Sequence, residues 1–320
     1  MNIKNGHIPR LFRRFEANPI LSAADMPYAC NTVFNCGATR LGNGETLLLL
    51  RVEDLRGISH FTAARSRDGF TNWRIDPEPT LMPDETDDSD EKWGIEDPRI
   101  IFLPELEKYA ILYTGYAEQG PHVKLSLTTD FEHFEKLGSV MPPEDKDASL
   151  FPRKFDGRWV MIHRPVSVFS GSADMWISHS PDLKHWGSHA VMMCARSGAW
   201  WDARRIGLSP PPIETKDGWL VLYHGVRHTP AGCIYRLGAA LFDLNNPLKL
   251  LHRGGNWIFS PETEYEIMGD VGNVVFPCGW TIEEDKDTLI IYYGAADTSI
   301  AIATASISEI LSWLRTQTTK

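Results

Sequence analysis

Five stretches of the chain repeat one pattern: a polar turn, a run of apolar β-formers, then a polar, glycine or proline stop. They are NGETLLLLR (43–51), EKYAILYTG (107–115), DGRWVMIHRP (156–165), DGWLVLYHG (217–225) and KDTLIIYYG (286–294). Apolar runs of about four to eight residues between turn formers read as strands. Aligned on Arg51, Thr114, Arg164, His224 and Tyr293, the copies lie 63, 50, 60 and 69 residues apart. Each copy follows a second apolar segment that closes on a breaker: TVFNCGATRL, EDPRIIFLP, SLFPRKF, IGLSPPPIE and NVVFPCGWTI. A further echo, ARSRDGFTNW (64–73), LTTDFEHF (127–134) and SHSPDLKHW (178–186), runs from Ser or Thr through Asp to an aromatic and reads as turn scaffolding. Strand groups recurring at this period predict an all-β, five-bladed β-propeller. A β-sandwich would not repeat in matched groups. Helical periodicity is confined to SISEILSWLRTQ (306–317), where Ser306 and Glu309 suit a capping box and a short closing helix. The expectation is one domain over 1–320, with an N-terminal arm at 1–20.

Composition narrows the partners. The 320 residues can bury a full core, and the net charge of −10 argues against a nucleic-acid binder, which needs a basic face. No apolar run approaches the roughly 20 residues that cross a bilayer, so no membrane partner is expected. The opening MNIKNGHIPRLFRRF has no apolar stretch of the secretory kind. Cys30, Cys36, Cys194, Cys233 and Cys278 are odd in number and form no CxxC pair, which points to reduced thiols in a cytoplasmic protein without zinc. DETDDSDE (84–91) reads as a solvated acidic loop.

The chemistry starts at WGIEDPRI (93–100), which sets Asp97 just before a proline at the head of an apolar run. A propeller brings equivalent repeat positions together around its channel, so Arg51, Arg164 and His224 should converge. Converging cations need an anion between them; the alternative is that each meets its own carboxylate. Glu96 and Asp97 should face opposite sides of an extended segment, so that one of them enters the channel and Glu96 pairs with Arg99. Asp97 alone could instead cap a turn at Pro98. His163, next to Arg164, should face away as packing. Trp176, Trp200 and Trp201 could stack on a ligand or fill the core.

WGIEDPRI, SLFPRKFDGRWVMIHRP, GWLVLYHGV, MGDVGNVVFPCG and IYYGAADT together resemble glycoside hydrolase family 130, the inverting β-mannoside phosphorylases. The resemblance runs from about NPILSA (18–23) to the C-terminal helix. It implies a five-bladed propeller that cleaves β-mannosides with inorganic phosphate, giving α-mannose 1-phosphate and a shortened sugar. The family's catalytic acid falls on Asp97. Its phosphate-binding positions fall on Lys146, Arg164, His224 and Tyr235, with arginine in place of Lys146 in some relatives. Arg205 matches a lysine of other members and would support phosphate or sugar. Asn35, Arg51, Glu53 and Asp297 match the mannosyl pocket, and Asp270 and Asn273 fall on the acceptor side. The GIEDPRI form is more like members acting on β-1,2-mannobiose or oligomannan than those acting on β-1,4-mannosyl-glucose or mannosyl-N-acetylglucosamine.

A single acid fits this chemistry. An inverting glycosidase needs a second carboxylate to activate water, whereas phosphate is already an anion and needs cations to hold it in line. In the family the proton is thought to pass through a mannosyl hydroxyl. A hydrolase of the same family and a non-catalytic glycan-binding propeller are the competing readings. The cations argue against the first, and the acid among cations against the second. Phosphate is expected as co-substrate with no metal or other cofactor, and the N-terminal arm and closing helix could pack on a second copy as a homo-oligomer.

Overall fold

The computed structural model describes residues 9–166, 173–230 and 232–317. Two short strands, β1 (Arg13–Arg14) and β2 (Leu21–Ser22), precede five antiparallel sheets. The first sheet holds β3 (Thr32–Arg40), β4 (Thr46–Glu53), β5 (Ser59–Ser66) and β6 (Arg74–Ile75). The second holds β7 (Ile95–Leu103), β8 (Lys108–Ala117), β9 (Gly120–Thr128) and β10 (Glu135–Ser139). In the third lie β11 (Asp145–Leu150), β12 (Trp159–Pro165), β13 (Met175–Ser180) and β14 (Gly187–Met193). The fourth contains β15 (Arg205–Leu208), β16 (Ile213–Thr215), β17 (Gly218–Thr229), β18 (Gly232–Phe242) and β19 (Leu250–Arg253). After a one-turn helix α1 (Glu264–Ile267), the fifth sheet takes β20 (Val275–Ile282), β21 (Thr288–Ala295) and β22 (Ser299–Ser306), and α2 (Ile307–Arg315) follows. These are the five blades of a β-propeller.

The apolar runs explain how the ring closes. Leu47, Leu48, Leu49 and Leu50 are all fully buried, because side chains of a strand alternate between faces and each face meets a neighbouring blade. Leu48 and Leu50 pack with Ile290, Tyr292, Ile300 and Ile302 of the fifth blade. Leu47 and Leu49 pack with Ile100, Ile111 and Tyr113 of the second. Separate clusters join blades two and three, three and four, and four and five. Each buried leucine contributes roughly 1.5–3 kcal/mol, so the stabilisation is spread around the circle.

The N-terminal segment belongs to the ring: β1 and β2 both pair with β22, so the fifth blade combines both ends of the chain. The expected arm at 1–20 is therefore part of a blade from Arg13 onward, and 1–8 lie outside the described residues. In α2, Ser306 Oγ accepts the Glu309 N–H at 3.1 Å while donating to Asp287 at 2.6 Å. The Ser-to-aromatic echoes are turns built alike: Asp68, Asp130 and Asp182 each accept two backbone N–H groups from the residues that follow. The acidic loop is not wholly solvated. Glu91 is buried, taking the Tyr113 hydroxyl at 3.0 Å and Lys136 at 3.2 Å.

Candidate active site

The innermost strands β3, β7 and β11 each carry a β-bulge near the axis, between Phe34 and Gly37, Glu96 and Arg99, and Lys146 and Ser149. The residue that opens each bulge has positive φ: Asn35 at 46°, Asp97 at 53° and Asp147 at 55°. Asn and Asp tolerate this left-handed region better than other side-chain-bearing residues. A bulge breaks the two-residue alternation and re-aims the side chain. Glu96 and Asp97 consequently both line the central cavity, and the expectation that they face opposite sides fails for this reason. Glu96 does not pair with Arg99. It takes Arg51 Nη2 at 3.0 Å and lies 3.7 Å from Lys146 Nζ.

Arg51, Arg164 and His224 do converge, but from the second strand of each blade rather than the innermost. Thr114 and Tyr293, at the same repeat position, do not line the cavity; Tyr293 instead donates to Glu266 at 2.8 Å. The cavity has a volume of about 390 Å³. Its walls include Asn35, Arg51, Asp97, Lys146, Arg164, Arg205, His224, Tyr235 and Asp297, nine of the residues singled out in the sequence. Glu53, Asp270 and Asn273 are not among its lining residues. Glu53 and Asp270 are both reached by the Asn31 amide, at 2.9 and 3.3 Å. Asn273 accepts the Tyr235 N–H on its backbone carbonyl at 3.1 Å.

Asp97 is buried and receives Asn35 Nδ2 and Arg51 Nη1, both at 2.9 Å and both on Oδ1. Burial pushes its pKa up, but Arg51, Lys146 and Arg99 together with the Asn35 hydrogen bond outweigh burial and hold it below the usual carboxylate range. The cations therefore win over burial. Asp297 behaves oppositely: burial, with Asp97 and Glu96 nearby, raises it to about 7 against Arg51 and Lys146.

The residue that sequence reasoning missed is Asp147. It is fully buried and takes Arg164 Nε at 2.6 Å, His224 Nε2 at 3.3 Å and Arg99 Nη2 at 3.4 Å. The converging cations thus have a protein carboxylate among them, and it stays ionised: burial raises its pKa, but Arg164, His224 and Arg99 bring it well below normal. His224 is depressed by burial despite Asp147. The available signal was KDAS (146–149), which repeats the EDPR (96–99) spacing of an acid opening a bulge after a charged residue. Gly207 completes the packing, since a Cβ there would collide with Asp147 and His224. Arg164 spends Nε on Asp147, and its buried Nη1 has no hydrogen-bond partner among the described residues.

His163 faces away from the cavity, bonded to Asp145 at 2.6 Å and Ser178 at 2.7 Å. Trp201 is core, stacked on Tyr223 with ring centroids 5.7 Å apart. Trp200 is exposed and covered by Arg196 at 4.5 Å, and Trp176 is half-buried; neither lines the cavity. Among the described residues no cluster of three or more His, Cys, Asp or Glu could hold a metal ion.

The family profile of glycoside hydrolase family 130, described as beta-1,4-mannooligosaccharide phosphorylase, matches residues 13–316. The chain belongs to glycoside hydrolase family 130. Beta-1,2-mannobiose phosphorylase of Listeria innocua is 39% identical over 263 residues, covering 82% of this chain and 71% of that one. The 1,2-beta-oligomannan phosphorylase of Thermoanaerobacter sp. is 35% identical over 313 residues, 93% of this chain and 98% of that one. Beta-1,4-mannooligosaccharide phosphorylase of Ruminococcus albus is 32% identical over 308 residues, 94% and 90% of the two chains. The solved Listeria innocua enzyme in complex with beta-1,2-mannobiose superposes with a TM-score of 0.86 at 34% identity, over 96% of this chain and 99% of that one. This family-130 chain shares the five-bladed fold with its relatives, as the repeat implied.

Proposed function

We propose that this family-130 protein is an inverting phosphorylase of β-1,2-linked mannobiose or oligomannan. A phosphate oxygen attacks the anomeric carbon from the face opposite the leaving sugar. The glycosidic C–O bond breaks, and the proton of Asp97 reaches the departing oxygen through a mannosyl hydroxyl. The products are α-mannose 1-phosphate and a sugar one unit shorter. Lys146, Arg164, His224 and Tyr235 hold phosphate with Arg205 beside them, while Asn35, Arg51 and Asp297 hold the mannosyl unit. Asp270 and Asn273 act further out, toward the acceptor; Glu53, which the family pattern gives to the mannosyl pocket, is joined to Asp270 through Asn31 and is not among the cavity-lining residues. No cofactor beyond phosphate is part of the reading, and the free thiols suit a reducing, cytoplasmic setting.

The observation that carries the proposal is the unsatisfied Nη1 of Arg164. A buried guanidinium nitrogen without a partner is costly, and a phosphate oxygen would supply one. The charge balance agrees. Arg51, Lys146, Arg164 and Arg205 line the cavity together with Glu96, Asp97, Asp147 and Asp297. Arg99, buried against Asp147, and the raised pKa of Asp297 leave the site short of negative charge. A water nucleophile has no use for that surplus, which disfavours the hydrolase reading. The relatives named for β-1,2 linkages are 35–39% identical, against 32% for the β-1,4 enzyme, and this supports the linkage.

The test incubates the protein with β-1,2-mannobiose, with and without phosphate. Mannose 1-phosphate that appears only with phosphate supports the proposal. Free mannose at an equal rate without phosphate points to a hydrolase and ends it.

A further inference from the structure

The cavity mouth carries an aromatic surface that neither core packing nor bond cleavage explains. Tyr116 lines the cavity yet is 39% exposed. Trp93 is 43% exposed and packs on Tyr116, with ring centroids 5.6 Å apart and planes tilted by 55°. Trp93 is not itself among the residues lining the cavity, so the pair extends from the wall onto the neighbouring exposed surface.

The pair is held rigidly with respect to the acid. The Trp93 N–H donates to the Tyr116 carbonyl at 2.9 Å, and the Tyr116 N–H to the Gly94 carbonyl at 3.0 Å. Gly94 has φ of 114°, and a Cβ there would strike the Ser59 backbone, so the segment from Trp93 to Asp97 is clamped against the first blade. Lys92 lies 5.9 Å from the Trp93 ring centroid and pairs with Glu118 at 2.6 Å, bracing the same edge. Val271 is also in the wall and 45% exposed.

Exposed aromatic faces bordering a polar cavity match the C–H face of a pyranose ring, which is apolar while its edges carry hydroxyls. Two rings tilted by 55° cannot both lie flat on one sugar, so they suit successive units of a bent chain. We propose that Trp93 and Tyr116 form a shelf for the sugar units of the leaving chain beyond the scissile bond. The protein then selects β-manno-oligosaccharides of three or more units over the disaccharide. This rests on the phosphorolytic reading of the cavity.

The experiment compares kcat/KM for β-1,2-linked mannobiose, mannotriose and mannotetraose in wild type, Trp93→Ala and Tyr116→Ala. Binding of the same three sugars to Asp97→Asn and to Asp97→Asn/Trp93→Ala is measured by calorimetry. Thermal melting of each variant controls for folding. The expected result is a wild-type preference for the longer chains. Trp93→Ala should lower kcat/KM and affinity for them roughly three- to tenfold while leaving the disaccharide within about twofold, the range of one aromatic contact. Equal losses on all three sugars, or no chain-length preference in the wild type, overturns the shelf. Absence of phosphate-dependent turnover with a chain-length effect on binding that Trp93→Ala removes sinks the phosphorolytic reading and keeps the shelf.

Discussion

Asn35 and Asp97 occupy the same bulge position in neighbouring blades, and the amide of one donates to the carboxyl of the other at 2.9 Å. Two left-handed residues on adjacent innermost strands are thus tied together, which fixes the candidate proton donor. Both of its hydrogen bonds fall on Oδ1, and Oδ2 takes none among the described residues. An asparagine at 97 can accept both bonds but cannot donate the proton. Asp97→Asn should therefore reduce turnover by at least roughly 100-fold, the low end for losing a general acid. Its melting temperature should stay close to wild type, because Arg51 keeps Glu96 at 3.0 Å. A variant that unfolds, or one that keeps normal turnover, contradicts this assignment.

Phosphate binding should take up a proton. In the ligand-free site burial favours the neutral acid, but Arg51, Lys146 and Arg99 keep Asp97 charged. A phosphate drawn to Lys146 and Arg164 offsets part of that positive field and adds negative charge, so the pKa of Asp97 rises on binding. Affinity for phosphate at a fixed phosphate charge should then fall as pH rises past the free-site pKa. Calorimetry in buffers of different ionisation enthalpy reads the uptake directly. Asp97→Asn should abolish the part due to this group and bind phosphate more tightly.

Asp147 should matter as much for folding as for catalysis. It is the shared carboxylate of Arg164, His224 and Arg99, and removing one partner of a buried ion pair costs about 3–5 kcal/mol. Asp147→Asn should lose stability of that order in denaturant titration. Arg164→Lys keeps a charge but loses the guanidinium Nη1, so it should raise the KM for phosphate at least several-fold with a smaller effect on the mannoside KM. Equal effects on both constants would remove Arg164 from the phosphate site.

The blades were legible because strand groups recurred five times at similar spacing, and few architectures repeat in that way. The candidate site was legible in part. Asp97, Arg164 and His224 stood out through repeat position and motif. Strict alternation along a strand misled the reading of Glu96, since a bulge set by backbone conformation turns two consecutive side chains the same way. Asp147 went unseen for a different reason: its importance comes from three partners on β7, β12 and β17, two of them far away in sequence. Glu53 and Asp270 matched motifs, yet they meet at Asn31 rather than in the cavity wall.

Asp297 supplies a pH signature of its own. Burial, with Asp97 and Glu96 nearby, raises its pKa from 3.8 to about 7. The folded state therefore holds this proton more tightly than the unfolded chain, and the group destabilises the fold progressively as pH rises from about 4 to about 7. Above that window the penalty is complete; below it there is none. A shift of this size corresponds to at most roughly 4 kcal/mol, and solvent reaching the cavity reduces it. Asp297→Asn cannot ionise, so its stability relative to wild type should increase across the window and then level off. The observable is the difference between the two proteins in chemical denaturation from pH 4.5 to pH 8, which cancels the titration of groups they share. A difference that is flat with pH, or that shrinks as pH rises, would show that Asp297 is ionised throughout. The same variant should weaken mannoside binding while sparing phosphate, because Asp297 is placed with the mannosyl unit in the proposed site.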